Sequence, residues 1–167
     1  AGGAEVCLIP EIPYRIEKVL ERLQMRYSRG KGHAIIVVAE GAKPVNGNVI
    51  ARKSEEVGYA NVQLGGISGQ LAQQLKEAGF EGDIRQTILG HLQRGGIPIA
   101  YDRILATQFG VKAFEMVLEG RFGEMVAYRH PEIISVPLKD AINRPNLVDP
   151  NCNLVKTARG IGISFGD

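Results

Sequence analysis

The apolar and polar residues at the start of the chain predict a strand, a helix and a second strand. An apolar run at residues 4–9 stops at Pro10, a pattern typical of a short buried strand. Between Pro13 and Gly30 apolar side chains recur at helical spacing, with charged residues on the other face, which predicts an amphipathic helix. The β-branched run within residues 33–40 predicts a buried parallel strand, so that the three elements form a βαβ unit.

The rest of the chain continues this alternation. Residues 41–59 show no clear periodicity and are interpreted as an excursion on the surface. The long helix predicted from about residue 101 to 119 is apolar nearly all round in its second half, which indicates a central helix packed on more than one side. The other predicted elements are a helix from the glycine cluster 65–69 to Gly79, strands at 84–89, 124–128 and 133–136, and a helix at 153–159.

The order of these elements predicts an α/β fold, with a mostly parallel sheet covered by helices on both faces. In such folds ligands gather at the carboxyl ends of the strands. The search for functional residues therefore begins there.

Composition narrows the class of protein. The chain has 167 residues, 44% of them hydrophobic, which allows one domain with a sizeable core. A net charge of +2 argues against a nucleic-acid-binding protein. No apolar run approaches the ~18 residues of a membrane span and no leader pattern begins the chain, so we expect neither a membrane nor a secreted protein. The two cysteines, Cys7 and Cys152, lack metal-binding spacing and are expected to be free thiols in the cytoplasm.

The most distinctive local feature is the glycine-rich segment 90–96, which follows the predicted strand at 84–89. Glycines on both sides of His91 and Arg94 let the backbone approach a ligand, as in a clamp for an anion or a sugar. The same pattern also suits a plain connection whose His and Arg cap neighbouring elements, and spacing alone does not decide between these interpretations.

Other candidates also lie at the ends of elements. Glu40 follows a β-branched strand and is either an acceptor for sugar hydroxyls or a solvated acid. Arg85 lies in the strand before the glycine-rich segment, and Glu5 opens the first strand at its amino end. The pair Asp102-Arg103 is expected to cap and pair within the long helix, and we assign it no chemistry.

Two features indicate a binding part of something longer. The chain runs directly into its first strand with neither Met nor a polar tail, so we expect it to be the later part of a longer protein. No paired acid and base, nucleophile constellation or metal cluster is found in the sequence. A complete enzyme is expected to show more.

The segment 90–96, followed by Pro98 and Tyr101-Asp102-Arg103-Ile104-Leu105-Ala106, closely resembles the 6-phosphofructokinase family. The resemblance extends over nearly the whole chain, and the tail from Leu154 to Asp167 is similar to that of the bacterial mixed-substrate group, whose members use ATP or pyrophosphate. It covers only the later part of a family chain. The resemblance therefore implies that residues 1–167 are the C-terminal fructose 6-phosphate-binding part of such an enzyme, with the N-terminal nucleotide-binding part absent.

The resemblance also implies roles for individual residues. Glu40, His91 and Arg94 are expected to bind fructose 6-phosphate, and Arg85 to reach the sugar 6-phosphate across a subunit interface. Such an interface implies a homodimer or homotetramer. In allosteric bacterial members a nucleotide effector binds at the positions matched by three further residues, which are Glu5, Arg29 and Lys31. Arg29 and Lys31 also complement the dipole of the helix that ends beside them, which is the alternative interpretation.

The family's GGDGS-type motif and its TxDND motif, which supplies the catalytic base and helps to hold Mg²⁺, have no counterpart in the sequence. The full-length enzyme is expected to phosphorylate the 1-position of fructose 6-phosphate in glycolysis, with ATP or pyrophosphate as donor and Mg²⁺ bound mostly outside this chain. The chain alone is expected to be inactive. The alternative is a free-standing sugar-phosphate-binding or regulatory module that kept the clamp and lost the chemistry.

Overall fold

A computed structural model describes residues 3–45, 47, 66–143 and 147–167. The chain divides into two compact units, which we call unit 1 (Ala1–Ile88 with Val148–Asp167) and unit 2 (Leu89–Leu147). Unit 1 contains β1 (Val6–Leu8), α1 (Ile16–Ser28), β2 (Ile36–Val38), α2 (Ile67–Glu77) and the final helix. Unit 2 contains a short 3-10 turn (Gly90–Arg94) and four elements. The elements of unit 2 are α3 (Ala100–Leu118), β3 (Glu124–Arg129), β4 (Glu132–Pro137) and α4 (Leu138–Asn143). The final helix, α5 (Asn153–Gly160), follows them in the chain and belongs to unit 1.

Unit 1 confirms the predicted βαβ unit. Strands β1 and β2 pair in parallel with Val6 opposite Ile36 and Leu8 opposite Val38, and α1 connects them. On the other side of β1, Ser164 forms a further parallel bridge with Val6. The Cys7 N–H donates to the Ser164 carbonyl at 2.9 Å, and the Ser164 N–H donates to the Glu5 carbonyl at 3.0 Å. The end of the chain is thus joined to its first strand.

The core of unit 1 forms where the apolar faces of its helices meet β1. Val6, Leu8, Tyr14 and Val19 have no exposed surface, and Leu75 of α2 packs in the same cluster. The Tyr14 hydroxyl donates to Gln74 Oε1 at 3.0 Å, so its polar atom is satisfied inside the core. A second cluster joins α5 to the start of the chain and contains Ile12, Val155 and Phe165.

Unit 2 is built from α3 and an antiparallel hairpin. Strands β3 and β4 pair from Glu124–Pro137 to Arg129–Glu132, across a turn of His130 and Pro131 whose peptide bond is cis. A two-residue connection can join only antiparallel strands, because parallel strands need a long crossover. The described residues thus contain helices together with one parallel and one antiparallel two-stranded sheet, which confirms the α/β class.

Two sequence predictions about elements are wrong. Residues 84–89 were predicted as a strand, but within the described chain they pair with no neighbouring strand. A strand needs a partner for its backbone N–H and C=O groups, and apolar composition does not supply one. Ile88 and Leu89 of this segment are exposed, whereas Ile84 packs against the unit 1 core.

The second error concerns the long helix. Helix α3 was expected to be central and packed on more than one side, yet within unit 2 only Met116 of this helix is buried. The hairpin covers one side of α3, and the apolar residues on the other sides remain exposed in this unit. The predicted surface excursion at 41–59 falls largely outside the described residues. Among the described helices, none is long and apolar enough to cross a membrane.

Candidate functional site

His91 and Arg94 lie on one exposed turn. The segment predicted as a glycine-rich connection forms a 3-10 helix over Gly90–Arg94, held by the Leu92 N–H donating to the Leu89 carbonyl at 2.8 Å. A 3-10 helix has three residues per turn, so side chains three positions apart lie above one another. Both side chains therefore project from the same face of the turn. Every residue of this turn is exposed, which leaves the imidazole and the guanidinium accessible to a ligand.

Two glycines bound this turn with backbone conformations that other residues rarely adopt. Gly90 has φ of +46° and Gly96 has φ of +103°. No heavy atom lies within 4 Å of the position that a Cβ would occupy at either residue. Glycine is thus required at these positions for its backbone conformation and not because space is short. The space beside these two glycines is open on both sides of His91 and Arg94.

The chain after the turn is fastened to the start of α3. The Ile99 N–H donates to Asp102 Oδ2 at 3.0 Å, and Arg103 Nε donates to the Pro98 carbonyl at 3.3 Å. The prediction that Asp102 caps the long helix is confirmed, since its carboxylate satisfies a backbone N–H that precedes the first helical turn.

Glu40 and Arg85 belong to unit 1. Glu40 is exposed and lies two residues beyond β2, at the carboxyl end of the strand, as the sequence predicts. The Ala39 N–H beside it donates to the Leu8 carbonyl at 2.9 Å, which ties this strand end to β1. Arg85 is almost fully exposed, with 91% of its side-chain surface accessible, and its Nε lies 3.2 Å from Asp83 Oδ2. An ion pair exposed to this degree contributes little stability and does not hold the guanidinium in place.

The four predicted sugar-phosphate residues are thus divided between the units. The structure brings His91 and Arg94 together on one turn of unit 2, and it places Glu40 and Arg85 in unit 1. The convergence of Glu40 with His91 and Arg94 in one crevice stays a prediction.

Glu5 is buried and already has partners for both carboxylate oxygens. Oε1 lies 3.0 Å from Arg26 Nη2, and Oε2 accepts the Ile35 N–H at 2.7 Å. Arg26 Nε also donates to the His33 carbonyl at 3.2 Å. This ion pair joins the beginning of β1, the last turns of α1 and the approach to β2. Sequence reasoning missed Arg26, although its place on the polar face of the predicted helix was the available signal.

The two cations predicted beside Glu5 are placed differently. Arg29 is the residue that follows α1, and Lys31 lies two positions further along. Both side chains are exposed, and within the described residues neither takes part in an ion pair. Gly30 between them has φ of +73° and lets the chain turn away from the helix end.

The side chains of the described residues do not group into a metal site. Across residues 3–45, 47, 66–143 and 147–167, no three His, Cys, Asp or Glu side chains lie close enough to hold a metal ion. This donor set does not fit a resident Mg²⁺ site. Cys7 and Cys152 are both free, and partial burial raises the pKa of the Cys7 thiol.

The chain is similar to known proteins along its whole length. The family model described as phosphofructokinase matches residues 1–117. The ATP-dependent 6-phosphofructokinase 2 of Clostridium perfringens is 46% identical over 167 residues, which is 100% of this chain and 46% of that protein. The chain therefore spans less than half the length of this relative.

Solved structures show the same fold. A phosphofructokinase from Saccharomyces cerevisiae aligns with a TM-score of 0.57 at 31% identity, covering 83% of this chain and 17% of that one. A pyrophosphate-dependent phosphofructokinase from Nitrosospira multiformis aligns with a TM-score of 0.63 at 21% identity, covering 97% and 41%. These likenesses confirm the α/β fold that the resemblance implied.

Proposed function

Because the chain belongs to the phosphofructokinase family, we propose that residues 1–167 form the fructose 6-phosphate-binding part of a 6-phosphofructokinase. The whole enzyme transfers a phosphoryl group to the 1-position of fructose 6-phosphate, giving fructose 1,6-bisphosphate in glycolysis. The relative named above is ATP-dependent and is 46% identical to this chain, which favours ATP over pyrophosphate as the donor. The cytoplasm is the proposed location.

The observation that carries this proposal is the exposed turn with His91 and Arg94 on one face. A guanidinium offers paired N–H donors to phosphate oxygens, and a protonated or neutral imidazole adds another donor beside it. Open space at Gly90 and Gly96 lets a ligand approach the backbone as well as the two side chains. The turn is therefore suited to a sugar phosphate.

Glu40 and Arg85 complete the proposed set from unit 1. The Glu40 carboxylate at the end of β2 accepts hydrogen bonds from sugar hydroxyls, for which its exposure leaves it available. Arg85 projects into solvent with only Asp83 beside it among the described residues. We propose that it reaches the 6-phosphate of a sugar bound to a second copy, in a homodimer or homotetramer.

Phosphoryl transfer of this kind uses Mg²⁺ to neutralise charge that develops between donor and acceptor. The described residues do not supply a cluster of metal ligands, so we propose that the magnesium ligands lie outside them. The residues of this chain bind and orient the acceptor sugar.

The test is steady-state kinetics of the full-length enzyme with His91→Ala and Arg94→Ala. Each variant loses a hydrogen bond to a charged phosphate, worth about 1.5–3 kcal/mol, so the KM for fructose 6-phosphate rises roughly tenfold to a hundredfold while that for ATP stays unchanged. Arg129→Ala removes an exposed cation from the end of β3 and serves as the matched control. A wild-type sugar KM in both variants overturns the assignment.

A second proposal concerns Arg29 and Lys31, whose exposed cations suit an anionic effector such as a nucleotide. Glu5 takes part only if it exchanges its bond to Arg26 for one to the effector, since both its oxygens are engaged. The assay titrates ADP or phosphoenolpyruvate at limiting sugar phosphate. Arg29→Ala should shift the response by at least severalfold, whereas identical curves for the wild type and the variant favour the helix-dipole interpretation.

A further inference from the structure

The turn that carries His91 and Arg94 has no packing of its own. None of the residues in Gly90–Arg94 is buried, so contacts with a core do not determine where the two side chains lie within unit 2. Their placement depends on the chain that joins the turn to the nearest rigid element. That element is α3, whose first residue lies only a few positions beyond Arg94.

The connection from Gly95 to Ile99 is tied at both ends. Next to the turn, the Gly95 N–H donates to the Leu92 carbonyl at 3.1 Å. Next to the helix, the Ile99 N–H donates to Asp102 Oδ2 at 3.0 Å, and the Pro98 carbonyl accepts from Arg103 Nε at 3.3 Å. Among the described residues, no other side chain bonds to the backbone of this connection.

Asp102 and Arg103 lie at the start of the long helix α3. Both belong to the first turn of α3, a helix of 19 residues that packs on β3 and β4. Asp102 accepts a hydrogen bond from the backbone of the connection, and Arg103 donates one to it. Together they hold the backbone of Pro98 and Ile99 to the first turn of α3.

We propose that Asp102 and Arg103 are positioning residues for fructose 6-phosphate, acting through the placement of His91 and Arg94. The inference rests on the proposed function. Neither side chain needs to touch the sugar; each holds the connection so that the imidazole and the guanidinium meet the phosphate together. Loss of either bond lets the turn shift relative to α3, and the binding energy of two aligned ligands falls.

The experiment measures both KM values and kcat for the full-length enzyme carrying Asp102→Ala, Asp102→Asn or Arg103→Ala. For Asp102→Ala the KM for fructose 6-phosphate rises roughly threefold to tenfold, the range expected for one lost hydrogen bond, while the KM for ATP is unchanged. Asp102→Asn keeps a side-chain oxygen that accepts the Ile99 N–H, so it restores a nearly wild-type value. Arg103→Ala moves the sugar KM in the same direction and retains the helix cap.

Two further variants make the result specific. Glu115→Ala removes an acid from the same helix, where it pairs with Lys112 at 3.5 Å, and leaves both KM values unchanged. His91→Ala reports on the proposed function itself. If His91→Ala raises the sugar KM but neither Asp102→Ala nor Arg103→Ala does, the inference is overturned and the proposed function stands. Equal rises in both KM values for Asp102→Ala indicate general damage and also overturn it. If neither His91→Ala nor Arg94→Ala raises the sugar KM, both proposals are overturned.

Discussion

Gly166 lies against two side chains that have no exposed surface. Its φ is +82°, and a Cβ at this position would come within 2.7 Å of Tyr14 Cβ and 3.0 Å of Leu8 Cδ2. The Gly166 carbonyl also accepts the Arg15 N–H at 2.7 Å, which holds the backbone close to the start of α1. Neither the backbone conformation nor the space therefore admits a side chain.

Gly166→Ala is expected to destabilise the protein by about 2–5 kcal/mol, the sum of a left-handed backbone strain and an overpacked core. Gly30→Ala is the matched control, because Gly30 has φ of +73° but nothing within 4 Å of a Cβ. That control should lose only about 1–2 kcal/mol. Urea unfolding of both variants measures the difference, and equal losses would contradict a steric role for Gly166.

At the residue scale, a short motif predicts least by itself. The 3-10 turn places His91 and Arg94 on one face, and their joint role in binding stays a prediction. Glu5 was grouped with Arg29 and Lys31, but its ion-pair partner is Arg26. Nearness along the chain could not distinguish these three cations. Arg26 lies within α1, so the helix determines the direction of its side chain, whereas Arg29 and Lys31 lie beyond the end of α1.

Helix α5 is held to the end of the chain by a charged pair. Arg159 in its last turn donates to both carboxylate oxygens of Asp167, with Nη1 to Oδ1 at 2.8 Å, and lies 5.0 Å from the centre of the Phe165 ring. The hydrogen bonds from Arg159 lower the pKa of the Asp167 carboxyl, more than burial raises it. The charged carboxylate is thus the form that the folded state prefers.

This pair predicts a pH dependence of known sign. Because the folded pKa of Asp167 lies below its unfolded value of about 3.9, the pair's stabilisation is complete above that value. It disappears as the pH falls through the folded pKa. Both side chains are about two-fifths exposed, 43% and 40%, so the effect is about 1 kcal/mol or less.

The measurement compares the free energy of unfolding of the wild type and Asp167→Asn from pH 7 downward. The wild type should be more stable at pH 7, and the two proteins should converge in acid. Glu115→Gln is a control of the same chemistry in an exposed pair of α3. A difference that stays constant with pH would show that the charge of Asp167 is not its cause.

At the level of elements, the sequence predicted the secondary structure that each segment favours but not the segments with which it pairs. Helices α1, α2, α3 and α5 lie within a few residues of their predicted bounds, because each carries helical periodicity or clear end signals. Residues 84–89 carry the composition of a strand but have no partner in the described chain. The short helix α4 was not predicted, since its six residues contain too few turns to show a period.

At the scale of the whole molecule, helix α3 carries an exposed apolar face. Ile104, Val111 and Leu118 recur every seven residues along one face, and Phe114 lies beside them, each more than half exposed. Met116, the buried residue of this helix, faces another direction. A contiguous apolar face of this kind promotes association in water.

The purified 167-residue chain is therefore expected to self-associate as its concentration rises, in a manner that Val111→Ser with Phe114→Ser weakens. Gln108→Ser changes an exposed polar residue of the same helix and should leave association unchanged. Sedimentation velocity over a range of concentrations measures the effect. A single monomeric species at every concentration would contradict this expectation.

The bridge between Val6 and Ser164 has a consequence for synthesis of the protein. Strand β1 leaves the ribosome well before the segment that pairs with its second edge, and before Val155 and Phe165 of the second core cluster. At a translation rate of about 5–20 residues per second, this interval is roughly 8 to 30 seconds. All of unit 2 emerges during that time, between the two stretches of unit 1. One edge of β1 must therefore stay unpaired while unit 2 is synthesised. An unpaired strand edge can pair with another chain, so chaperones are most needed during this interval.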